Sequence, residues 1–296
     1  MKFGKSRIFQ AGAFWLVLLF WLQLPVSGQD KSCLWKVETE TCTTYFLGSI
    51  HMLKKESYPL NSAIEDAYNQ AQMVVFEVNL DSSQSPRLQQ KIVMKAMAKD
   101  GKSLQDRLSP EVYERAAREI KETGADISQF NLFKPWFFAV SLMTLKVRQL
   151  GFDPVYGIDN HFFTKAKEDE KPVLGLETLD FQIDLFDELN LEDQEAIVQQ
   201  TLDEIDLMEE ELGKMIEFWK AGETAQLEEM VLKSFKDYPH IYNTFLVQRN
   251  QKWIGTIESL LKGDKNSLII TGTAHLLGEE GVLSLLEEKG YKVEQL

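Results

Sequence analysis

The sequence predicts an α/β fold, with a central mixed sheet built from both ends of the chain and a large helical insertion between them. Three observations point there. The stretch Gly48-Ser49-Ile50-His51-Met52-Leu53 returns near the other end as Gly272-Thr273-Ala274-His275-Leu276-Leu277, and each copy follows an apolar, β-prone run and precedes a helical pattern. Between those ends the apolar spacing is helical over most of residues 86–150 and 181–261. Composition is ordinary for a globular chain, 44% hydrophobic and 26% charged over 296 residues, with nothing to suggest disorder or a fibre.

The first 28 residues differ from the rest. Lys2, Lys5 and Arg7 precede an apolar run over residues 11–26, and the small residues Ser27 and Gly28 follow. This is the layout of a secretory signal peptide cut near Gly28, and the run is short for a bilayer span. The expectation is an exported chain, periplasmic or secreted, with no stable membrane anchor after cleavage. Residues 29–296 then form a single domain, since no Gly-, Ser- or Pro-rich linker divides them. Losing three cations makes the formal net charge of −14 more negative still, which disfavours nucleic acid and anionic lipid as partners.

Cys33 and Cys42 flank a hairpin-like segment and would meet oxidising conditions on export. A turn at Val37-Glu38 sets them opposite each other, whereas a turn at Thr39-Glu40 pairs Cys42 with Val37 and separates the sulfurs. The balance leans slightly against a bridge.

After the first Gly-x-x-His, Pro59 is expected to open a helix whose Ile64, Ala67, Tyr68 and Ala71 share one buried face. Met73–Asn79 reads as an apolar strand containing Glu77, completing a β-α-β unit with parallel pairing. The aromatic run at residues 130–138 is core or pocket wall, with core the commoner use. Residues 153–157 read as a strand and 159–168 as a helix, with Lys171–Glu177 as a further strand, giving a second β-α-β. Leu212, Met215, Ile216 and Trp219 mark a buried stripe in the acidic helical region. The chain closes with a strand at 267–271, the second Gly-x-x-His, a helix at 278–289 stopped by Gly290, and a strand at 291–294, as if repeating residues 44–80.

The chemical candidates follow from this layout. The chain has four histidines, and two of them, His51 and His275, occupy matched strand-turn-helix positions. Both they and Glu77 fall near the carboxyl ends of parallel strands, where open α/β sheets bind ligands. A carboxylate inside an apolar strand is costly unless it is paired or binds a cation. Two imidazoles and a carboxylate are a common set of ligands for a divalent transition metal, so His51, Glu77 and His275 are the candidate ligands. Asp159 and His161 follow a strand-like segment and are candidates to add a ligand or orient one, although Asp159 also suits a helix cap. Glu177 ends a short strand, and Arg249 is a candidate oxyanion clamp. His240 has no such setting and reads as structural.

Several motifs occur in order: Leu34-Trp35-Lys36-Val37 leading to Phe46-Leu47-Gly48-Ser49-Ile50-His51, then Phe76-Glu77, and Gly157-Ile158-Asp159-x-His161-Phe162. Further on come Lys171-Pro172-Val173, Leu176-Glu177-Thr178 with Gln182, Arg249-Asn250-x-x-Trp253, and Gly272-Thr273-Ala274-His275. Together they resemble the TraB/GumN family, a resemblance that implies a relation to the Tiki proteases and a fold shared with erythromycin-esterase-like proteins. The resemblance implies a metal-dependent peptidase using His51, His275 and Glu77, with Arg249 lining the site. Tiki proteins carry a carboxyl-terminal membrane anchor and this chain stops soon after its last strand, so the substrate of that branch does not transfer.

The combined expectation is an exported metal-dependent hydrolase of peptides or proteins that uses Mn, Co or Zn. Glu77 or Glu177 would serve as ligand or base, and Arg249 would steady the oxyanion. A binding protein that captures a peptide, haem or metal in the same pocket is the alternative. A metal-free hydrolase with His51 as base is a third.

Overall fold

The computed structural model describes residues 31–83 and 85–296. The expected leader therefore lies outside the described residues. One six-stranded sheet is formed by β1 (Leu34–Glu38), β2 (Thr43–Ser49), β3 (Met73–Val78), β4 (Val173–Glu177), β5 (Ser267–Gly272) and β6 (Val293–Gln295), in the order β4-β3-β5-β2-β1-β6. β2, β3, β4 and β5 pair in parallel, while β1 runs antiparallel to both β2 and β6. The sheet is mixed, and only β4 comes from the middle of the chain.

The central strands are apolar without alternation because both faces are covered. Phe46, Leu47, Val74, Val75, Leu268, Ile269 and Ile270 are fully buried. They share one core with Ile64 and Tyr68 of helix Ser62–Gln70, Phe162 of helix Ile158–Glu168, and Trp253 and Ile257 of helix Gln248–Leu261. A second core lies within the helical layer, where Ile120, Phe138, Leu142, Val198 and Leu202 hold together helices Pro110–Glu122, Pro135–Gln149 and Leu191–Ile205. The aromatic run belongs to this layer: Phe138 sits in the second core, and Trp136 stacks on Phe186. Trp136 and Phe138 are core, the commoner of the two expected uses.

Several expectations need correction. β2 and β3 are parallel but not neighbours, because β5 lies between them and pairs with both. Pro59 does not open a helix; Asn61 caps helix Ser62–Gln70, its side chain accepting from the N–H of Ala63. Residues 153–157 are not a strand. Asp153 caps a 3-10 turn at Pro154–Tyr156, where the proline ring already fixes the backbone, so the second β-α-β lacks its first strand. The long acidic region is a series of separate helices, Leu179–Asp187, Leu191–Ile205, Met208–Ala221, Thr224–Phe235 and Gln248–Leu261. The last helix is Val282–Glu288, and β6 joins the far edge beside β1, so the carboxyl-terminal end does not repeat residues 44–80.

Neither expected hairpin register occurs. β1 and β2 pair Val37 with Thr44 and Glu38 with Thr43, so the chain reverses around Glu40-Thr41. Cys42 therefore faces Thr39, whose N–H donates to its carbonyl at 2.9 Å, and Cys33 accepts from the N–H of Gly48 at 2.8 Å. Both cysteines are buried and free.

Candidate functional site

The two Gly-x-x-His turns lie side by side at the carboxyl ends of β2 and β5, where Ser49 pairs with Gly272. They clasp each other. The Thr273 hydroxyl donates to the carbonyl of Ser49 at 3.0 Å, and a Cβ on Gly48 would stand 2.8 Å from that hydroxyl oxygen. Only glycine permits this approach. The indole N–H of Trp219 donates to the carbonyl of Gly48 at 2.7 Å, pinning the first turn from below.

A charged cluster is buried behind the turns. Arg249 lies between two carboxylates: Nη2 donates at 2.6 Å to Oε2 of Glu77 and at 2.6 Å to Oε1 of Glu177, and Nε donates to Glu177 at 3.0 Å. Its Nη1 donates at 2.9 Å to the carbonyl of Phe245 and at 2.9 Å to Nε2 of His275. These contacts engage every N–H of the guanidinium. Gln182 donates to both Glu77 and Glu177, and the indole N–H of Trp253 donates to Glu177 at 3.0 Å. A π-helical turn at Asn243–Val247 immediately precedes the helix that carries Arg249.

His275 is held in one tautomer. The Asn250 side-chain N–H donates to the carbonyl of Glu280 at 2.8 Å, so its oxygen faces Nδ1 of His275 at 2.6 Å. Nδ1 is therefore the protonated nitrogen, and Nε2 offers its lone pair to Arg249. Burial, with the neighbouring Arg249 charge, pushes the imidazole down to about 3, so it is neutral at physiological pH. Burial alone would raise the carboxyl of Glu77, but its cationic neighbours, Arg249 foremost at neutral pH, and the N–H of Gly272 at 2.7 Å hold it down at about 2.

His51 is in the opposite situation. Its side chain is 66% exposed at the rim, and Nδ1 lies 2.7 Å from Oδ2 of Asp159, which also accepts from the Ser49 hydroxyl. The Asp159 carboxylate raises the imidazole to about 9, against the opposing effect of desolvation. Solvent at the open face tempers that shift.

Gly272 marks where these groups converge. A Cβ there would stand 3.2 Å from Oε1 of Glu77, 3.7 Å from Nε2 of His51 and 3.7 Å from Cδ2 of His275. His51 and Glu77 also line a pocket of about 440 Å³, with Phe76, Val78 and Val155 on its apolar walls and Asp159 and Gln182 among its polar groups.

The structure thus brings together His51, Glu77, Asp159, Glu177, Arg249 and His275, in roles that differ from those expected. Arg249 has no N–H left for an oxyanion, and Glu177 is fully occupied by Arg249, Gln182 and Trp253. Neither is a free catalytic group. His161 is not in the site; it lies near Glu65, at 3.5 Å, and packs against the ring of Tyr58. The proposed metal ligands do not fit a shared ion as they stand. His275 turns carbon Cδ2 to the common space and Nε2 to a permanent cation, and among the described residues no group of three or more His, Cys, Asp or Glu is arranged to hold a metal. The positioning parts Ser49, Asn250 and the Gly272 N–H were not singled out from the sequence. Asn250 had a signal, since it stands beside Arg249 and one turn before Trp253 on a single helix.

Comparison with known proteins agrees with the ordered motifs. The chain is 25% identical over 244 residues to the uncharacterized protein YbaP of Shigella flexneri, covering 82% of this chain and 87% of that one. It is equally similar to YbaP of Escherichia coli K12, 25% identical over 243 residues with the same shares covered. No solved structure matches. The family model described as the TraB/PrgY/gumN family matches residues 33–295, and the chain belongs to that family.

Proposed function

We propose that the chain is an exported hydrolase of peptide bonds in which His51, held by Asp159, moves the proton. The observation that carries this reading is the space over Gly272, bounded by an imidazole nitrogen and a carboxylate oxygen that has spare acceptor capacity. A water there donates one hydrogen to Nε2 of His51 and the other to Oε1 of Glu77. As its oxygen bonds to the substrate carbonyl carbon, His51 takes the proton, and Asp159 stabilises the imidazolium. His51 then gives that proton to the departing amine as the C–N bond breaks, leaving a carboxylate and an amine. Apolar pocket walls receive a side chain beside the reacting carbonyl. Glu177, Arg249 and His275 hold Glu77 in place rather than touching substrate.

The test uses the mature protein with a mixed peptide library and mass-spectrometric readout, with and without EDTA. Cleavage that resists chelation and falls about 10²- to 10⁴-fold in His51→Ala is expected. In Asp159→Asn the His51 imidazolium is less stabilised, so the rising limb of kcat/KM, which follows loss of the His51 proton, moves to lower pH as the rate drops. Turnover that vanishes with EDTA and returns with Mn²⁺, Co²⁺ or Zn²⁺ overturns the metal-free route but leaves a hydrolase. Saturable peptide binding without cleavage, abolished by His51→Ala, favours the binding-protein reading.

A further inference from the structure

Helix Pro86–Ala96 packs on the helix that carries Gln182, and its outer face has a character unlike the rest of the molecule. Helix Pro86–Ala96 buries Ala96 and half-buries Ile92 in a small cluster with Trp136 and Ile183, yet its outer face carries Val93 at 42%, Met94 at 54% and Met97 at 37% exposure. Those three are neighbours on one helical face and its C-cap. Leu132, 63% exposed, joins them because the segments are tied by backbone: the N–H of Ala98 donates to the carbonyl of Leu132 at 2.8 Å, and Met97 bridges Phe133. Four of the ten large exposed apolar side chains among the described residues therefore fall in one place. Such a concentration marks an interaction surface rather than scattered exposure.

The helix itself is basic in an acidic chain. Residues 85–99 contain Arg87, Lys91, Lys95 and Lys99 and no acid, in a sequence whose net charge is −14, and Asp100, which follows, pairs with Arg107. Lys91 and Lys95 pair with Asp180 and Asp184 on the adjacent helix. Arg87 and Lys99 are exposed and have no ion-pair partner among the described residues. Arg87 lies two turns before Met94 on the outer face, and Lys99 follows Met97.

We infer that this face docks on an anionic phospholipid surface, with Val93, Met94, Met97 and Leu132 entering the headgroup layer and Arg87 and Lys99 meeting the lipid charges. The combination of exposed apolar side chains with a basic rim is that of an interfacial helix. The net charge disfavours anionic lipid for the molecule as a whole, so the contact is confined to this basic face while the remainder is held away from the surface. The contact is peripheral: among the described residues no helix is long and apolar enough to cross a membrane.

The experiment is flotation of the mature protein with vesicles of phosphatidylcholine alone or with 30 mol% phosphatidylglycerol, a composition chosen so that the surface charge has a known source. Partitioning about tenfold or more higher on the anionic vesicles is expected, weakening as salt is raised. Met94→Asp/Leu132→Asp and, separately, Arg87→Glu/Lys99→Glu each reduce it about tenfold, while both variants keep wild-type circular dichroism and peptide cleavage. All four positions are exposed, so misfolding does not confound the result. Equal partitioning on both vesicle types, or binding unchanged in both variants, overturns the proposal. Concentration-dependent dimerisation abolished by Met94→Asp/Leu132→Asp, without vesicle binding, also overturns it and assigns the face to self-association.

Discussion

Replacing Arg249 by methionine tests the buried cluster most directly. The guanidinium makes five N–H contacts and is the only permanent cation among the described residues lying between Glu77 and Glu177, whose side chains are 9% and 7% exposed. Methionine keeps much of the packing against Trp253 but leaves two carboxylates buried beside each other. Removing one partner of a buried ion pair costs about 3–5 kcal/mol, and here Gln182, Trp253 and the Gly272 N–H still solvate the anions, so the lower part of that range applies. A domain stable by about 5–15 kcal/mol survives this. The pH dependence is the sharper signature. In the wild type the Glu77 carboxyl is depressed, so the stability it contributes is present above 4.5 and lost as pH falls through about 2. In the variant burial is opposed by fewer partners and that carboxyl rises, so protonation relieves part of the penalty and the gap between the proteins narrows from pH 7 to pH 5. Urea unfolding followed by tryptophan fluorescence at both pH values measures it. A loss below about 1 kcal/mol, or a gap that widens on acidification, refutes the charge-compensation argument.

Three further outcomes follow from the same geometry. Gly48→Ala drives a methyl into Thr273 and should cost about 1–3 kcal/mol, part of which Thr273→Ala restores; a double-mutant cycle in urea reads the coupling. Neither cysteine should react with a thiol reagent in the native protein, and both should react in denaturant, since burial pushes the Cys33 thiol up to about 12 and neither residue is bridged. His275 should make the fold acid-labile: the unfolded imidazole takes a proton near 6.5 and the folded one only near 3, so stability falls as pH drops across that window, by up to about 1.4 kcal/mol per pH unit, and His275→Gln flattens the slope.

The sequence exposes what is local and hides what is paired over distance. The repeated Gly-x-x-His and the carboxylate in an apolar strand are visible because each breaks a local rule: glycine at a strand end, charge in a buried run. Arg249 is legible as a residue but not as a role, since its partners lie 72 and 172 residues away and nothing in Val247-Gln248-Arg249-Asn250 announces them. Sequence adjacency misled at His161. It stands two residues beyond Asp159 on a helix, and two residues turn a helix by about 200°, which sends the two side chains to opposite faces. β5 entering between β2 and β3 was hidden for a similar reason, because strand order is set by long-range pairing and the intervening helix dictates only direction.

The two halves of the repeat differ in a way that bears on the proposed hydrolysis. The shared Gly-x-x-His pattern places two histidines at the ends of neighbouring strands, and their surroundings then drive them apart: the Asp159 carboxylate raises His51 to about 9, while burial lowers His275 to about 3. Titratable groups separated this way suit the proposed division between proton transfer by His51 and positioning by His275. His275 stays neutral and offers Nε2 to Arg249, which in turn fixes Glu77. Under the proposed function His51, exposed at the pocket and able to change charge, is the group that would act on substrate. A site that needed two equivalent ligands would have no use for this asymmetry. It follows that His51 and His275 should fail differently when each is replaced: His51→Ala loses turnover with the fold intact, whereas His275→Ala loosens Arg249 and Glu77 and loses stability and turnover together.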